Sequence, residues 1–281
     1  MKHIPVLLDS VLNALGDIRD KLVVDCTFGA GGYSRAFLER GADVIAFDRD
    51  PSVADDAKKL QQQYREKFQF IQKPFSEISQ IDTTVDAVVF DLGISSMQID
   101  IPERGFSFRF DAPLDMRMAS DGMTAAEYIA QVDAGELTRV LREYGDVKNS
   151  GGIARAMKSA LPQTTFQLRD LIHNPHDYAP VFQALRIAVN DEMGELERAL
   201  SVVPDLLKVG GMCLCVTFHS LEDRIVKNTF RDWTTVPGDP RMPIVADVPF
   251  KLVRATQPSK KEIDENPRSR SAHMRGVIKS Y

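Results

Sequence analysis

The sequence predicts an α/β fold, a mostly parallel β-sheet covered by helices and interrupted by a helical insertion. Three observations carry this. Short apolar runs alternate with helical patterns in the first hundred residues. A glycine-rich turn follows the first apolar run. The alternation then stops at Pro102 and resumes only at Val181. Near-continuous apolar strands separated by helices imply a parallel sheet buried on both faces.

The elements follow in order. Lys21 to Asp25 is a β-branched run ending in an acid, and Phe28 to Gly32 is the glycine turn. Ser34 to Arg40 reads as a helix with Ser34 as N-cap and Gly41 as its stop. Asp43 to Asp48, Phe68 to Gln72 and Val85 to Asp91 are further strands, with an exposed helix over Val53 to Phe68. From Pro102 to about Ala179 only helical patterns occur, at Ala125 to Ala130, Leu137 to Tyr144 and Ile153 to Leu161. A stretch that long is too large for a connection inside a compact domain. The expected organisation is a core over 1–102, a helical insertion over 103–179, and the rest of the core over 180–281. Phe182, Leu185, Val189, Met193, Leu196 and Leu200 fall at three- and four-residue steps, which predicts one long amphipathic helix on the core. Met212 to Phe218 is a fifth strand and Leu221 to Trp233 a helix. Lys251 to Thr256 and His273 to Lys279 predict a closing antiparallel pair around a polar loop.

Composition narrows the function classes. With 43% hydrophobic and 27% charged residues, the chain of 281 residues is ordinary for a globular protein, which excludes a disordered one. No apolar run is long enough to span a bilayer, and residues 1–9 lack the basic head and apolar core of a secretory signal. A cytoplasmic protein with no membrane partner is expected. Of the three cysteines, Cys213 and Cys215 alternate within a strand pattern, so buried thiols are expected rather than disulfides. No His or Cys cluster has zinc-ligand spacing, and no metal is expected. The net charge of −5 is unevenly spread. From Lys251 onward eight basic residues face three acidic ones, so this stretch carries +5 and the remainder −10. A basic tail on an acidic body can contact phosphates locally.

Five constellations could carry chemistry. Asp25 to Gly32 (DCTFGAGG) joins a strand to a helix, where glycines admit a ligand to the backbone and a helix N-terminus follows. Asp48 ends the next strand, where an acid can accept hydrogen bonds from ribose hydroxyls. Together they point to a nucleoside-containing cofactor. The dinucleotide fingerprint requires a third glycine that is missing here, and Asp25 would repel a pyrophosphate. S-adenosylmethionine, with its cationic amino end, fits better than a nicotinamide dinucleotide. The second is Asp91 to Gln98 (DLGISSMQ), a loop at the ligand edge offering the Asp91 carboxylate and the Ser95 and Ser96 hydroxyls. In the third, Arg104 and Arg109 interleave with Phe106, Phe108 and Phe110, and PLDMRM follows at Pro113 to Met118. Rings and guanidiniums in alternation suit nucleic acid, though an apolar anchor for the insertion accounts for them equally. The fourth is Phe218 to Arg224 (FHSLEDR), which sets His219 at a strand end. The fifth is Asn266 to Ser271, a turn bearing Arg268 and Arg270.

Taken together and in this order, the motifs resemble the bacterial ribosomal RNA small-subunit methyltransferase H family, also called MraW. The strings RGFSF, PLDMRM, FQALRI and FHSLEDRIVK carry the resemblance, which runs from His3-Ile4-Pro5-Val6 to Arg268-Ser269-Arg270-Ser271. It implies a Rossmann-like class I methyltransferase with a mostly parallel seven-stranded sheet and an inserted all-helical domain for substrate recognition. It implies S-adenosyl-L-methionine as cofactor, contacted by Gly31, Gly32, Tyr33, Asp48, Phe75, Asp91 and Gln98. The implied reaction is methylation of the N4 amine of a cytidine in the decoding region of 16S ribosomal RNA, within the small subunit, with dimerisation open.

On that basis Asp91, Ser95 and Ser96 are the candidate catalytic residues, able to hydrogen-bond the amine. Arg104, Phe106, Phe108, Arg109, His219, Arg268 and Arg270 are the candidate RNA contacts. Where this chain has Tyr33 the family usually has His. Asp146 to Gly152 and His173 to Ala179 replace more charged stretches of the family. The alternatives are a methyltransferase acting on DNA or protein, a non-catalytic ribosome-assembly factor that keeps the fold, and a nicotinamide-dependent oxidoreductase.

Overall fold

The structure, a computed structural model, describes residues 5–235 and 248–281. His3 and Ile4 lie outside the described residues. The chain forms two compact units, one of Met1–Gly93 with Met193–Tyr281 and one of Ile94–Glu192. Among the described residues no helix is long and apolar enough to cross a membrane.

Among the described residues the first unit holds seven strands: β1 (Leu22–Asp25), β2 (Asp43–Phe47), β3 (Phe68–Ile71), β4 (Val85–Asp91), β5 (Leu207–Thr217), β6 (Phe250–Thr256) and β7 (His273–Lys279). They form one sheet in the order β3-β2-β1-β4-β5-β7-β6. β1 to β5 pair in parallel, while β7 runs antiparallel to both of its neighbours. The mostly parallel seven-stranded sheet and its closing antiparallel pair are thus as expected. The helices in chain order are α1 (Leu8–Leu15), α2 (Gly32–Glu39), α3 (Ala54–Tyr64), α4 (Ser96–Asp100), α5 (Ala125–Gln131), α6 (Ala134–Gly145), α7 (Ser150–Ala160), α8 (Thr165–Asp170), α9 (Tyr178–Asn190), α10 (Glu192–Leu206), α11 (Ser220–Trp233) and α12 (Lys260–Glu265).

The first unit's core joins the inward residues of β1, β4 and β5, such as Val24, Val88 and Cys215, to Leu196, Leu200 and Val203 of α10 and Val226 and Phe230 of α11. Cys213 and Cys215 are buried and form no disulfide, as expected of thiols in a central strand. Asp86 secures the amino-terminal side of the sheet. Its carboxylate accepts from Leu22 N at 2.9 Å and from Lys208 Nζ at 2.7 Å, which holds it below the usual range.

Two local expectations are corrected. Ser34 is not the cap of α2. The N-cap is Gly31, at φ 73°, and Ser34 is buried in the first turn. The long helix expected from Val181 to Leu200 is two helices, because Asp191 turns into the left-handed region at φ 46°. Their apolar stripes serve different cores. Val181, Phe182 and Leu185 of α9 fill the helical unit's core, while Leu196, Ala199 and Leu200 of α10 fill that of the sheet. The second unit accordingly extends to Glu192.

The second unit is built on helices α4 to α9, with α6 packed on α7 and α9. Asn190, buried, fastens the PLDMRM segment: its Oδ1 accepts from Met118 N and its Nδ2 donates to Met116 O, both at 2.7 Å. Arg186 meets Glu192 through two hydrogen bonds, at 2.7 and 3.0 Å. The Lys158 ammonium closes the carboxyl end of α5, donating to the carbonyls of Ile129, Ala130 and Val132 at 3.0, 2.8 and 2.6 Å. Three carbonyls, those of Ile129 and Val132 in part-buried bonds, lose this charged donor in Lys158→Met. That variant is expected to unfold at lower denaturant, with a loss of about 1–3 kcal/mol in stability.

Candidate functional site

Ligands of parallel α/β sheets bind outside the carboxyl ends of the strands. At that edge the first unit gathers three acids. Asp25 ends β1, Asp48 follows β2 and Asp91 ends β4. The segment after β1 ties them together. Thr27 Oγ1 accepts from Asp91 N at 2.8 Å, Thr27 N donates to Asp25 Oδ1 at 3.2 Å, and Gly29 N donates to Asp48 Oδ2 at 2.8 Å. Ser34 Oγ reaches back from α2 to donate to Asp25 Oδ2 at 2.6 Å. Ser34 therefore serves the site rather than the helix end.

The glycine turn depends on its lack of side chains. At Gly31 a Cβ would stand 2.9 Å from the Phe28 ring on a backbone already at φ +73°. At Gly32 a Cβ would stand 2.3 Å from Pro5 Cγ. Tyr33 turns inward beside them, only 3% exposed, and its hydroxyl donates to Val6 O. Burial pushes that hydroxyl well above its ordinary pKa. The tyrosine thus anchors the amino-terminal segment and leaves its backbone to the turn. Leu7 N donates to Glu262 Oε1 at 2.6 Å, tying the same segment to α12.

The acids are raised by their surroundings. Burial lifts Asp25 to about 6 against its hydrogen bonds from Ser34 and Thr27. Burial likewise lifts Asp48 to about 6, against its bonds from the Asp50 and Gly29 amides. Asp91 is raised well above the usual carboxylate range by burial first, then by the negative fields of Asp25 and Glu222. The residue retains some surface, yet its Oδ1 is enclosed and accepts no hydrogen bond. A buried acceptor with no protein donor is costly and is open to a donor from a ligand. Phe75 stands half-buried just past β3, edge-on to Phe90 with centroids 5.6 Å apart, and offers a ring to a ligand.

Glu222 is a functional candidate that the sequence motifs do not single out. It is 2% exposed, and its Oε2 accepts from Phe218 N at 2.8 Å and His219 N at 3.3 Å. His219 and Glu222 form a capping box at the start of α11, with His219 Nε2 3.0 Å from Glu222 Oε1. A Glu three residues after a cap position is the signal that finds it. Arg268 and Arg270 are exposed on the short helical turn Pro267–Ser271, held by buried Ser269.

The remaining candidates belong to the second unit. Ser95 and Gln98 form a capping box on α4: Gln98 N donates to Ser95 Oγ at 3.2 Å, and Ser95 N to Gln98 Oε1 at 3.0 Å. Ser96 is the first residue of α4. Arg104 donates to the carbonyls of Arg117 and Met118 at 2.8 and 3.1 Å and lies over the Phe106 ring. Phe106 and Phe108 pack on the helical core, Phe108 against Tyr178 and Phe182. Of the three phenylalanines, Phe110 is the exposed one at 54%, next to exposed Arg109.

A glycine turn after β1, an acid after β2, a second acid ending β4 and an antiparallel seventh strand together define a class I methyltransferase, whose methyl donor is S-adenosylmethionine. The residues suit that donor, since acids tolerate its cationic end and Asp91 Oδ1 lacks a donor. Within that class the chain belongs to the MraW methylase family, whose pattern matches residues 1–280. Similar proteins include two called ribosomal RNA small subunit methyltransferase H. That of Chelativorans sp. (strain BNC1) is 44% identical, over 98% of this chain and 86% of its own length. That of Granulibacter bethesdensis is 43% identical, over 98% and 90%. Among solved structures, an rRNA methylase from Streptococcus thermophilus aligns at 14% identity and a TM-score of 0.46, covering 100% of this chain and 99% of that one.

The raised acids give a pH dependence of definite sign. A carboxyl whose folded pKa lies above its unfolded value destabilises the fold above that pKa, and the penalty is relieved as pH falls through it. Asp25 and Asp48, at about 6, titrate in this window, whereas Asp86, Asp115 and Asp223 are lowered and titrate far below it. The ligand-free protein is therefore expected to melt at a higher temperature at pH 6 than at pH 7.5. A cationic donor needs the ionised forms, so its affinity, measured by calorimetry, is expected to fall by about tenfold or more from pH 7.5 to pH 5.

Proposed function

We propose that this protein methylates the exocyclic N4 amine of a cytidine in the decoding region of 16S ribosomal RNA, using S-adenosylmethionine. The observation that carries the chemistry is Asp91, a buried carboxyl at a strand end whose Oδ1 accepts nothing from the protein. The RNA assignment is supported by relatives called ribosomal RNA small subunit methyltransferase H at 44% and 43% identity.

The bound donor supplies a methyl group already activated by its sulfonium charge. Gly31 and Gly32 admit the donor to the backbone, Asp48 receives its ribose hydroxyls, Phe75 flanks its adenine, and Asp25 stabilises its cationic end. The cytosine amine is a poor nucleophile because its lone pair is conjugated with the ring. Asp91 Oδ1 accepts a hydrogen bond from one amine N–H, drawing the lone pair out of conjugation and fixing the amine for attack. When bound, the donor would supply the methyl carbon for the new N4–carbon bond as its sulfur–carbon bond breaks, and Asp91, in its ionised form, would take the proton shed by the amine. Correct alignment provides most of the acceleration. Ser95 Oγ already accepts one hydrogen bond as a helix cap, which makes Asp91 the better acceptor.

Incubation with tritiated S-adenosylmethionine and a panel of undermethylated small subunits, free 16S RNA, DNA and ribosomal protein tests the substrate class. Label confined to RNA is expected. Label in DNA or protein supports the rival methyltransferase, and tight RNA binding without label supports an assembly factor.

A further inference from the structure

The carboxyl edge of the sheet carries a second feature besides the three acids. β7 begins at His273, opposite Thr217 at the carboxyl end of β5, and Thr256 near the end of β6 pairs with Met274. The β6–β7 loop therefore opens at the same edge as the acids, but beyond β5. A cleft of about 370 Å³ lies there, lined by Ala255, Thr256, Gln257, His273, Met274 and Arg275. That volume is within the range of small-molecule sites, roughly 300–1,000 Å³. The ladder is irregular between Val253 and Thr256, and such bulges re-aim side chains beside binding sites.

Hydrogen bonds brace the cleft and polar groups line it. Arg275 is clamped to Asp223 of α11, Nε to Oδ1 at 2.7 Å and Nη2 to Oδ2 at 2.8 Å. The clamp neutralises Asp223, and two of the five N–H donors engage it, leaving others on the guanidinium for a ligand. The backbone of His273 is held by Thr217, whose Oγ1 donates to its carbonyl at 3.3 Å, and Asp223 Oδ1 lies 4.0 Å from its Nδ1. On the rim, exposed Gln257 brings its Nε2 to 3.1 Å from His273 Nε2. A carboxamide beside an imidazole and a guanidinium matches a nucleotide: the amide can read a base edge, the ring can support a base face, and the guanidinium can face phosphate.

We propose that this cleft is the subsite for a nucleotide flanking the methylated cytidine, in a single-stranded stretch of the RNA substrate. Gln257 and His273 are its specificity-determining residues. The proposal rests on the reading of the chain as an RNA methyltransferase. The test is steady-state methyl transfer from tritiated S-adenosylmethionine to undermethylated small subunits by wild type, Gln257→Ala, His273→Ala and His273→Phe. Loss of one base contact is worth about five- to a hundredfold. KM for the RNA substrate is therefore expected to rise by about tenfold in the alanine variants, with kcat and donor affinity unchanged and His273→Phe recovering part of the loss. An unchanged KM in both alanine variants, or a fall in kcat alone, overturns the subsite. If wild type transfers no label to RNA, the reading of the reaction fails instead. The cleft is then judged by the binding of a 16S RNA fragment, and equal Kd values for wild type and Gln257→Ala overturn it.

Discussion

Asp91→Ala is expected to lower kcat by at least about a hundredfold, in line with loss of a positioned acceptor at a reacting group. The same substitution removes a buried carboxyl whose Oδ1 has no donor, so the ligand-free variant is expected to melt no lower than wild type. That combination separates a functional role from a structural one. A residue needed for folding would lose activity and stability together. Asp91→Asn keeps an acceptor oxygen but cannot take up the proton, and its kcat is expected between the two. Near-normal turnover in both variants, with donor bound, removes Asp91 from the reaction.

Gly31→Val is expected to abolish measurable donor binding, with the largest effect on KM for S-adenosylmethionine. Two terms act in the same direction. The position has φ +73°, which costs a side chain about 1–2 kcal/mol, and the new Cβ falls 2.9 Å from the Phe28 ring. Phe28 cannot retreat easily, because its ring packs against Phe68 and Phe70 at centroid distances of 5.8 and 5.2 Å. Gly31→Ala, with the same Cβ and less bulk, is expected to fold and to bind donor at least about tenfold more weakly by calorimetry. Wild-type affinity in that variant contradicts the assignment of the turn.

The strands that position the site were legible because central parallel strands must be apolar throughout. Val85 to Asp91 is such a run, and β4 has those bounds. The acids at the strand ends were legible for the same reason, as polar residues that end apolar runs. What escaped depends on single torsions and distant contacts. Ser34 has the chemistry of a cap, but Gly31 takes the left-handed conformation first and Ser34 turns to Asp25. Asp191 breaks a helix without a glycine or proline to announce it. The alternation of RGFSFRF does not say which rings face the core, and packing buries part of Phe106 and Phe108 while Phe110 stays exposed. Gln257 and His273 lie 16 positions apart and meet because a hairpin folds back, which no local pattern encodes.

Whether the carboxyl at the end of β4 directs a methyl group onto a cytosine amine of 16S RNA is decided at the level of the nucleoside. Small subunits lacking base methylation are incubated with the protein and tritiated S-adenosylmethionine, and the RNA is digested and resolved by chromatography with mass detection. Label in N4-methylcytidine, lost in Asp91→Ala, is the expected result. Label in another nucleoside, or none while donor binding is intact, contradicts it.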